Sequence, residues 1–362
     1  MIRKAYILAI FTLMVVGLPL IGIYQSGGPV ELFASFPPLT VPSEHSPFSW
    51  PVFLLYLLPM FGILGLIVIG FRRKPEKSAP ESAETQRRIP WWGWISLIIL
   101  IISWFFAWTR FSWFAPYQRL TFIPLWFSYI GFANALCLRQ SGRCPLLHES
   151  MFFAGLFPLS AVFWWFFEYL NQFVLNWFYT GVDYGPLGYS IHATISFSTV
   201  LPAVYTTREL LRNMRWFRNR FHSFPSFGKS IPGFLNWLVL LITAAGLAGI
   251  GLWSEELFSL LWVSPLLILT ALRHIAGQPT LLSVMADGDW RPAISAALAA
   301  LVCGVFWEMW NYYSLAKWTY SIPYVHRFQI FEMPILGYMG YLPFGLLCIE
   351  LIDFFKQDGK RH

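Results

Sequence analysis

The sequence predicts an all-α fold: a polytopic membrane helix bundle of about ten transmembrane helices that contains two parallel four-helix repeats. Composition is the first reason, because 57% of the 362 residues are hydrophobic and only 12% are charged. The mean hydropathy of +0.55 is too high for a soluble domain. The other two reasons are the recurrence of long apolar runs and a match between the two halves of the chain.

Apolar windows of about 19 residues mark the helices that are long enough to cross a bilayer. The predicted spans centre on residues 5–24, 51–71, 91–109, 121–138, 151–178, 188–207, 234–253, 257–272, 293–316 and 335–354. The first span follows Arg3 and Lys4, but it is too long for the apolar core of a signal peptide, and so we interpret it as a retained helix.

The distribution of Lys and Arg predicts the orientation of these spans. Most of the 25 basic residues lie in connections on one side, including 72–88 and 208–229, whereas the other side holds Arg110, Arg119 and few others. By the positive-inside rule, both termini are predicted to be cytoplasmic, in a bacterial inner membrane. This bias explains the net charge of +7 without a nucleic-acid partner.

Two polar segments divide the chain. Residues 25–50 form an outer loop rich in Pro and Ser, and residues 72–88 form a charged inner linker. The predicted organisation is therefore an N-terminal pair of helices in 1–88, membrane repeat 1 in 89–230 and membrane repeat 2 in 231–362.

The repeat is visible as matched segments at a nearly constant separation. LWFS at 125–128 matches LWVS at 261–264, and FEYLNQFVLNWFY at 167–179 matches WEMWNYYSLAKWTY at 307–320. Four spans per unit give both units the same orientation, which predicts a parallel repeat about an axis along the membrane normal. Sites in such proteins tend to lie where the repeats meet.

Each repeat places an ionisable residue inside a predicted span. Glu168 precedes Asn171 by three positions, as Glu308 precedes Asn311. This spacing puts both side chains on one helix face. Acidic residues inside a membrane are costly and often functional, although the same pairs can simply hydrogen-bond neighbouring helices together.

Two further polar residues are expected beside these pairs. Glu332, just before the tenth span, is expected near Glu308, and His192 occupies a similar place near Glu168. A carboxyl group in an apolar, aromatic pocket can serve as a general acid at neutral pH. Glu209 and Glu350, at inner helix ends, are expected to face solvent or to pair with basic residues.

Aromatic residues follow both Glu–Asn pairs. Trp177 and Tyr179, like Trp318 and Tyr320, are expected one to two helical turns beyond them, in a belt at the outer interface.

Residues 306–344 resemble the integral-membrane lycopene cyclase domain family, which is also duplicated within the membrane. The matching residues are Glu308, Asn311, Trp318, Tyr320, Glu332 and Pro334, with Glu168, Asn171, Trp177 and Tyr179 in the first repeat. The resemblance implies an intramembrane enzyme that protonates a double bond of a long isoprenoid or carotenoid-like lipid. Cyclisation, isomerisation or hydration would follow.

The roles implied by the resemblance divide between carboxyl groups and aromatic rings. Glu308 and Glu332 would be proton donor and charge partner, and Glu168 with His192 would form a second site. The substrate-binding residues, whose rings can stabilise a carbocation, would be Trp307, Trp310, Trp318, Tyr320, Trp177 and Tyr179. This chemistry requires no metal and no cofactor.

Two other functions fit the same sequence. Parallel repeats, polar pairs within the membrane and proline-interrupted spans are also typical of transporters and lipid-handling proteins. The chain would otherwise be a non-catalytic membrane subunit that docks to partners through its 25–50 loop.

Overall fold

The computed structural model describes residues 2–38, 40–73, 88–226, 228 and 233–356, so most of the predicted linker 72–88 lies outside the described residues. The described chain is mostly helical. Its α-helices are α1 Ile2–Gln25, α2 Trp50–Arg72, α3 Trp91–Trp108, α4 Phe122–Ser141, α5 Pro145–His148, α6 Ser150–Val174, α7 Gly185–Phe197, α8 Val200–Asn213, α9 Arg215–Arg218, α10 Gly233–Ile250, α11 Ser254–Leu257, α12 Leu260–Ile275, α13 Leu281–Ala286, α14 Arg291–Tyr312 and α15 Tyr341–Lys356.

Short strands and 3₁₀ turns complete the described structure. The strands form two antiparallel pairs, β1 Trp177–Thr180 with β2 Lys317–Tyr320, and β3 Gln329–Ile330 with β4 Met333–Pro334. The 3₁₀ turns are Val30–Ala34, Ser112–Leu120 and Ile335–Gly340. We call the end of the bundle that carries β1 and β2 the strand end.

Eight of the described helices are long and apolar enough to cross a membrane, which confirms the membrane class. They are α1, α2, α3, α4, α6, α10, α14 and α15 together with the 3₁₀ turn before it. The sixth predicted span is instead two helices, α7 and α8, and the eighth corresponds to α12, which has only 16 residues.

The break between α7 and α8 has a local physical cause. Pro202 lies in the first turn of α8 and has no N–H to donate, so it favours a helix start there. The hydroxyl of Ser160 on α6 donates to Phe197 O at 2.6 Å and accepts from Leu201 N at 3.0 Å. One side chain therefore satisfies backbone groups on both sides of the interruption.

The fifth and ninth predicted spans are too long by about one turn. The first of these helices, α6, ends at Val174, where Leu175 adopts a left-handed conformation with φ 47°, and α14 ends at Tyr312. The aromatic residues expected on further helical turns lie instead in β1 and β2, which pair across the strand end. The predicted helical interface belt at these positions is wrong.

Helix packing follows a recurring pattern. Helix α3 packs on α4 as α10 packs on α12, α4 packs on α8 as α12 packs on α15, and α6 packs on α8 as α14 packs on α15. The N-terminal helix α1 lies against α10, where Gly22 allows backbone contact, because a Cβ there would overlap Ala248 O. By contrast α2 buries only Phe53, Ile67 and Gly70.

A polar contact ties three helices together at the end opposite the strands. Glu149, just before α6, accepts hydrogen bonds from Lys356 on α15 at 2.8 Å and from Tyr205 on α8 at 2.7 Å. Burial alone would raise the pKa of Glu149, but these hydrogen bonds and the Lys356 charge outweigh burial, so the pKa lies below its ordinary value.

This lowered pKa predicts a pH-dependent contribution to stability. A carboxyl group whose pKa is lower in the folded state stabilises the fold above the unfolded pKa, and the contribution disappears as the pH falls through the folded pKa. We therefore expect Glu149→Gln to lower the melting temperature at neutral pH and to change it little at a pH below the folded-state pKa of Glu149. The same change at exposed Glu31 is the control. An equal difference at both pH values would contradict the prediction.

Candidate active site

Two asparagines turn the chain from helix to strand in the same way. Asn171 Nδ2 donates to Trp177 O at 2.7 Å, and its Oδ1 accepts from Asn176 N at 2.9 Å. Asn311 Nδ2 donates to Trp318 O at 2.7 Å, and its Oδ1 accepts from Trp318 N at 2.9 Å. Both side-chain amides therefore form hydrogen bonds with backbone groups of the segment that follows the helix. Each asparagine holds a strand against the helix that carries a buried glutamate.

Glu168 is fully buried on α6 and is held by aromatic donors. Its Oε1 accepts from Tyr179 OH at 2.6 Å, Trp164 Nε1 at 2.9 Å and Trp177 Nε1 at 3.1 Å. Tyr179 and Trp177 come from β1, whereas Trp164 lies one turn earlier on α6. We call these four residues the Glu168 cluster.

Glu308 is fully buried on α14 in a matching arrangement. Its Oε1 accepts from Tyr320 OH at 2.7 Å and from Tyr341 OH at 2.8 Å, while Trp318 Nε1 donates to Tyr320 OH at 2.8 Å. Tyr320 and Trp318 come from β2, and Tyr341 begins α15. We call these four residues the Glu308 cluster.

The two clusters differ in the position of one aromatic donor. The residue one turn before Glu168 is Trp164, but the residue one turn before Glu308 is Gly304. A side chain at Gly304 would overlap the ring of Tyr341, whose counterpart at the start of α8 is Val200. Each cluster therefore contains one large aromatic donor that the other lacks, Trp164 on the helix of Glu168 and Tyr341 on the helix after Glu308.

Both carboxyl groups keep one oxygen atom unused. Oε2 of Glu168 and Oε2 of Glu308 are buried and have no hydrogen-bond partner within the described part of the chain. No ion pair among the described residues includes either group. No cation among the described residues offsets the cost of burying either carboxyl group, and an isolated buried carboxylate is very costly.

A cavity of about 660 Å³ adjoins both clusters. Its walls are mostly apolar, and they include the cluster residues Trp164, Trp177, Tyr179, Trp318, Tyr320 and Tyr341. On α14 the lining includes Ala293, Ile294 and Ala297 near the start of the helix and Trp307 near its end, and Ala293 and Trp307 are separated by roughly 21 Å at about 1.5 Å per residue. The cavity is thus long, aromatic and within the size range of small-molecule sites.

The two polar residues expected beside the glutamates have other neighbours. Glu332 Oε1 lies 2.5 Å from Lys317 Nζ, in a partly exposed ion pair, and it makes no hydrogen bond to Glu308. His192 lines the cavity and contacts the ring of Tyr184 at 4.7 Å between ring centroids. Glu332 pairs with Lys317 because both lie in the loop structure that follows α14.

The aromatic residues predicted to bind substrate divide into two groups. Trp307, Trp318, Tyr320, Trp177 and Tyr179 line the cavity. Trp310 does not line it and packs at 5.1 Å against Trp126, deep between α14 and α4.

Sequence reasoning did not predict four residues of this site: Trp164, Gly304, Tyr341 and Arg119, the last of which lines the cavity. Trp164 and Gly304 occupy matched positions in the two halves, so the tryptophan-to-glycine difference was a usable signal. Tyr341 and Val200 were a second such difference. The contact between Gly304 and Tyr341, which connects these two differences, depends on the packing of α14 against α15 and cannot be read from the sequence.

The site also limits what can bind there. Within the described residues, no three His, Cys, Asp or Glu side chains lie close enough together to hold a metal ion. The four cysteines are buried and unpaired.

Comparison of the chain with known protein families, curated proteins and solved structures finds no match.

Proposed function

We propose that this protein is an intramembrane enzyme that protonates a double bond of a long apolar, isoprenoid-like lipid. The observation that carries the proposal is the pair of buried glutamates, Glu168 and Glu308, each held by aromatic donors that line one long apolar cavity. Cyclisation, isomerisation or hydration of the resulting carbocation would follow.

The hydrogen bonds support a role as acid for these carboxyl groups. Glu308 itself does not line the cavity, but Tyr320 does, and its hydroxyl lies 2.7 Å from Glu308 Oε1. Tyr320 would give its proton to the double bond and take one from Glu308, which leaves a carboxylate behind the carbocation. The rings of Trp307 and Trp318 in the cavity wall would stabilise a cation formed beside them. Asn311 positions the strand that supplies Trp318 and Tyr320.

The duplication predicted from the sequence is part of the proposal. In the β1–β2 register, Trp177 lies opposite Tyr320 and Tyr179 lies opposite Trp318. The Trp of each strand thus faces the Tyr of the other, as expected for two units related by a twofold axis. The matched helix packing supports two parallel units as well.

We propose ten crossings, with α7–α8 as an interrupted crossing, α12 as a short one, and the strand end outside. The relationship to the lycopene cyclase family remains part of this proposal.

The test is a comparison of the lipids that co-purify with wild type and with Glu308→Gln. Glutamine keeps the size and the Oε1 acceptor but cannot donate the acidic proton. We expect the variant to retain an isoprenoid that differs from the lipid bound by wild type in mass, in the number of double bonds or in the position of a double bond. Glu31→Gln is the matched control, because Glu31 is exposed and lies outside the cavity lining.

A clear negative result is available in the same experiment. If wild type and Glu308→Gln carry the same lipid, or only ordinary phospholipid, the acid role is wrong. An unchanged elution profile and melting temperature for Glu308→Gln would show that folding does not explain the result.

Transbilayer movement of a lipid is the second candidate function, and the length of the cavity favours it. The lining includes Met285 and Trp290 beside the start of α14 and Lys317 beyond its end. A labelled polyprenol in vesicles would distinguish the two functions. Movement between leaflets without chemical change, at equal rates in wild type and Glu308→Gln, would favour transport over catalysis.

A further inference from the structure

Charges around the cavity are unevenly distributed. The ionisable residues in its lining include Arg119, Lys317 and His192, but no Asp or Glu is among the described lining residues. The two glutamates behind the wall have no free surface. A ligand that fills the cavity therefore meets apolar walls and basic groups near the strand end.

The two cations in the lining differ in their partners. Lys317 is neutralised by Glu332, which lies 2.5 Å from Lys317 Nζ. Arg119 has no ion-pair partner among the described residues. Its guanidinium lies over the ring of Tyr184, 5.6 Å from the ring centroid.

Tyr184 holds this part of the cavity wall together. Its hydroxyl donates to Arg119 O at 2.9 Å, and its ring contacts the imidazole of His192 at 4.7 Å between centroids. Nδ1 of His192 is buried and has no hydrogen-bond partner within the described chain. The neighbouring residue Asp183 is exposed, and its Oδ1 accepts a hydrogen bond from Gly185 N at 2.9 Å.

We infer that the lipid bound in the cavity carries an anionic headgroup of the phosphate class, held by Arg119 and His192 while its apolar chain runs along α14. The inference rests on the proposed function, because it assumes that the cavity holds a lipid. A guanidinium offers several N–H donors in a planar fork that matches phosphate oxygens. His192 lines the same wall, and its imidazole can donate a further hydrogen bond to the headgroup.

The position of Arg119 agrees with this assignment. It lies in the last turn of the 3₁₀ segment Ser112–Leu120, which precedes α4 at the strand end. A headgroup there would lie near the membrane surface while the chain extends past the two glutamate clusters. The ligand would then enter the cavity in one orientation, with its charged end fixed.

The test compares a polyprenyl phosphate with the polyprenol of equal length, both titrated into purified protein and followed by tryptophan fluorescence. We expect wild type to bind the phosphate at least about tenfold more tightly, since hydrogen bonds to charged groups are strong. Arg119→Gln is expected to lose this preference and to keep its affinity for the alcohol. Arg327→Gln, whose guanidinium lies over Phe48 outside the cavity lining, is the control.

The outcomes separate this inference from the proposed function. Equal binding of both lipids by wild type would overturn the headgroup assignment while leaving an apolar lipid site intact. Failure of both lipids to bind would overturn the headgroup assignment and count against the lipid site itself. An undiminished phosphate preference in Arg119→Gln would show that another group binds the headgroup.

Discussion

The Arg273→Met variant is expected to lose about 3–5 kcal/mol of stability, because it leaves an acidic residue buried without its partner. Arg273 on α12 and Glu350 on α15 form an ion pair whose side chains are each only 1% exposed. Arg273 also donates to Glu350 O and to Pro279 O, both at 2.7 Å, while Glu350 Oε1 accepts from Leu281 N at 2.5 Å. The pair thus joins two helices and the connection after α12.

The free energy of unfolding in mixed micelles measures this effect. Arg212→Gln is the matched control, since Arg212 pairs with Glu209 on the surface with 45% of its side chain exposed, and such pairs contribute about 1 kcal/mol or less. The double variant Arg273→Met with Glu350→Leu is expected to recover much of the loss, because no buried charge remains. A loss for Arg273→Met no larger than the control would contradict the prediction.

The Gly304→Trp variant is expected to disrupt the Glu308 cluster, and a second substitution is expected to repair it. A side chain at Gly304 overlaps the ring of Tyr341, so the tyrosine must move and its hydrogen bond to Glu308 must break. Overpacking costs about 1–3 kcal/mol, and a buried acceptor that loses a donor costs about 1–3 kcal/mol. Adding Tyr341→Val recreates the combination of Trp164 and Val200 that surrounds Glu168.

The double variant should therefore be more stable than Gly304→Trp alone, with a coupling of about 0.5–3 kcal/mol between the two positions. The control is Gly155→Trp, because a Cβ at Gly155 meets no atom within 4 Å. The measurements are the melting temperatures and co-purifying lipids of five proteins: wild type, the single variants Gly304→Trp and Tyr341→Val, the double variant and the Gly155→Trp control. If Tyr341→Val adds its own loss to that of Gly304→Trp, the proposed equivalence of the two clusters is wrong.

Chemistry of single residues accounts for what sequence reasoning predicted well. Glu168 and Glu308 stood out because acids are rare in apolar runs, and both are fully buried as expected of functional or structural groups. The pairing of Glu350 with a basic residue was also anticipated, although its complete burial was not, and the alternative that it faces solvent is wrong. Glu209 contacts Arg208 and Arg212.

The features that the sequence did not predict depend on contacts between segments that are far apart in the chain. Asn171 and Asn311 end their helices early by forming hydrogen bonds with the backbone that follows. Hydropathy does not report such bonds, so Trp177 and Trp318 were predicted on helical turns although they lie on paired strands. Nor does hydropathy report the hydrogen bonds of Ser160 across the break between α7 and α8.

The sequence by itself determined the membrane class, the approximate positions of the long helices and the two buried acids, because hydropathy and the cost of charge in lipid act along the chain. Only the tertiary structure decided which groups meet. It placed Glu332 beside Lys317 rather than Glu308, joined two strands about 140 residues apart, and assembled one cavity from walls on several helices. These outcomes depend on packing and hydrogen-bond partners across long sequence separations, which no local pattern specifies.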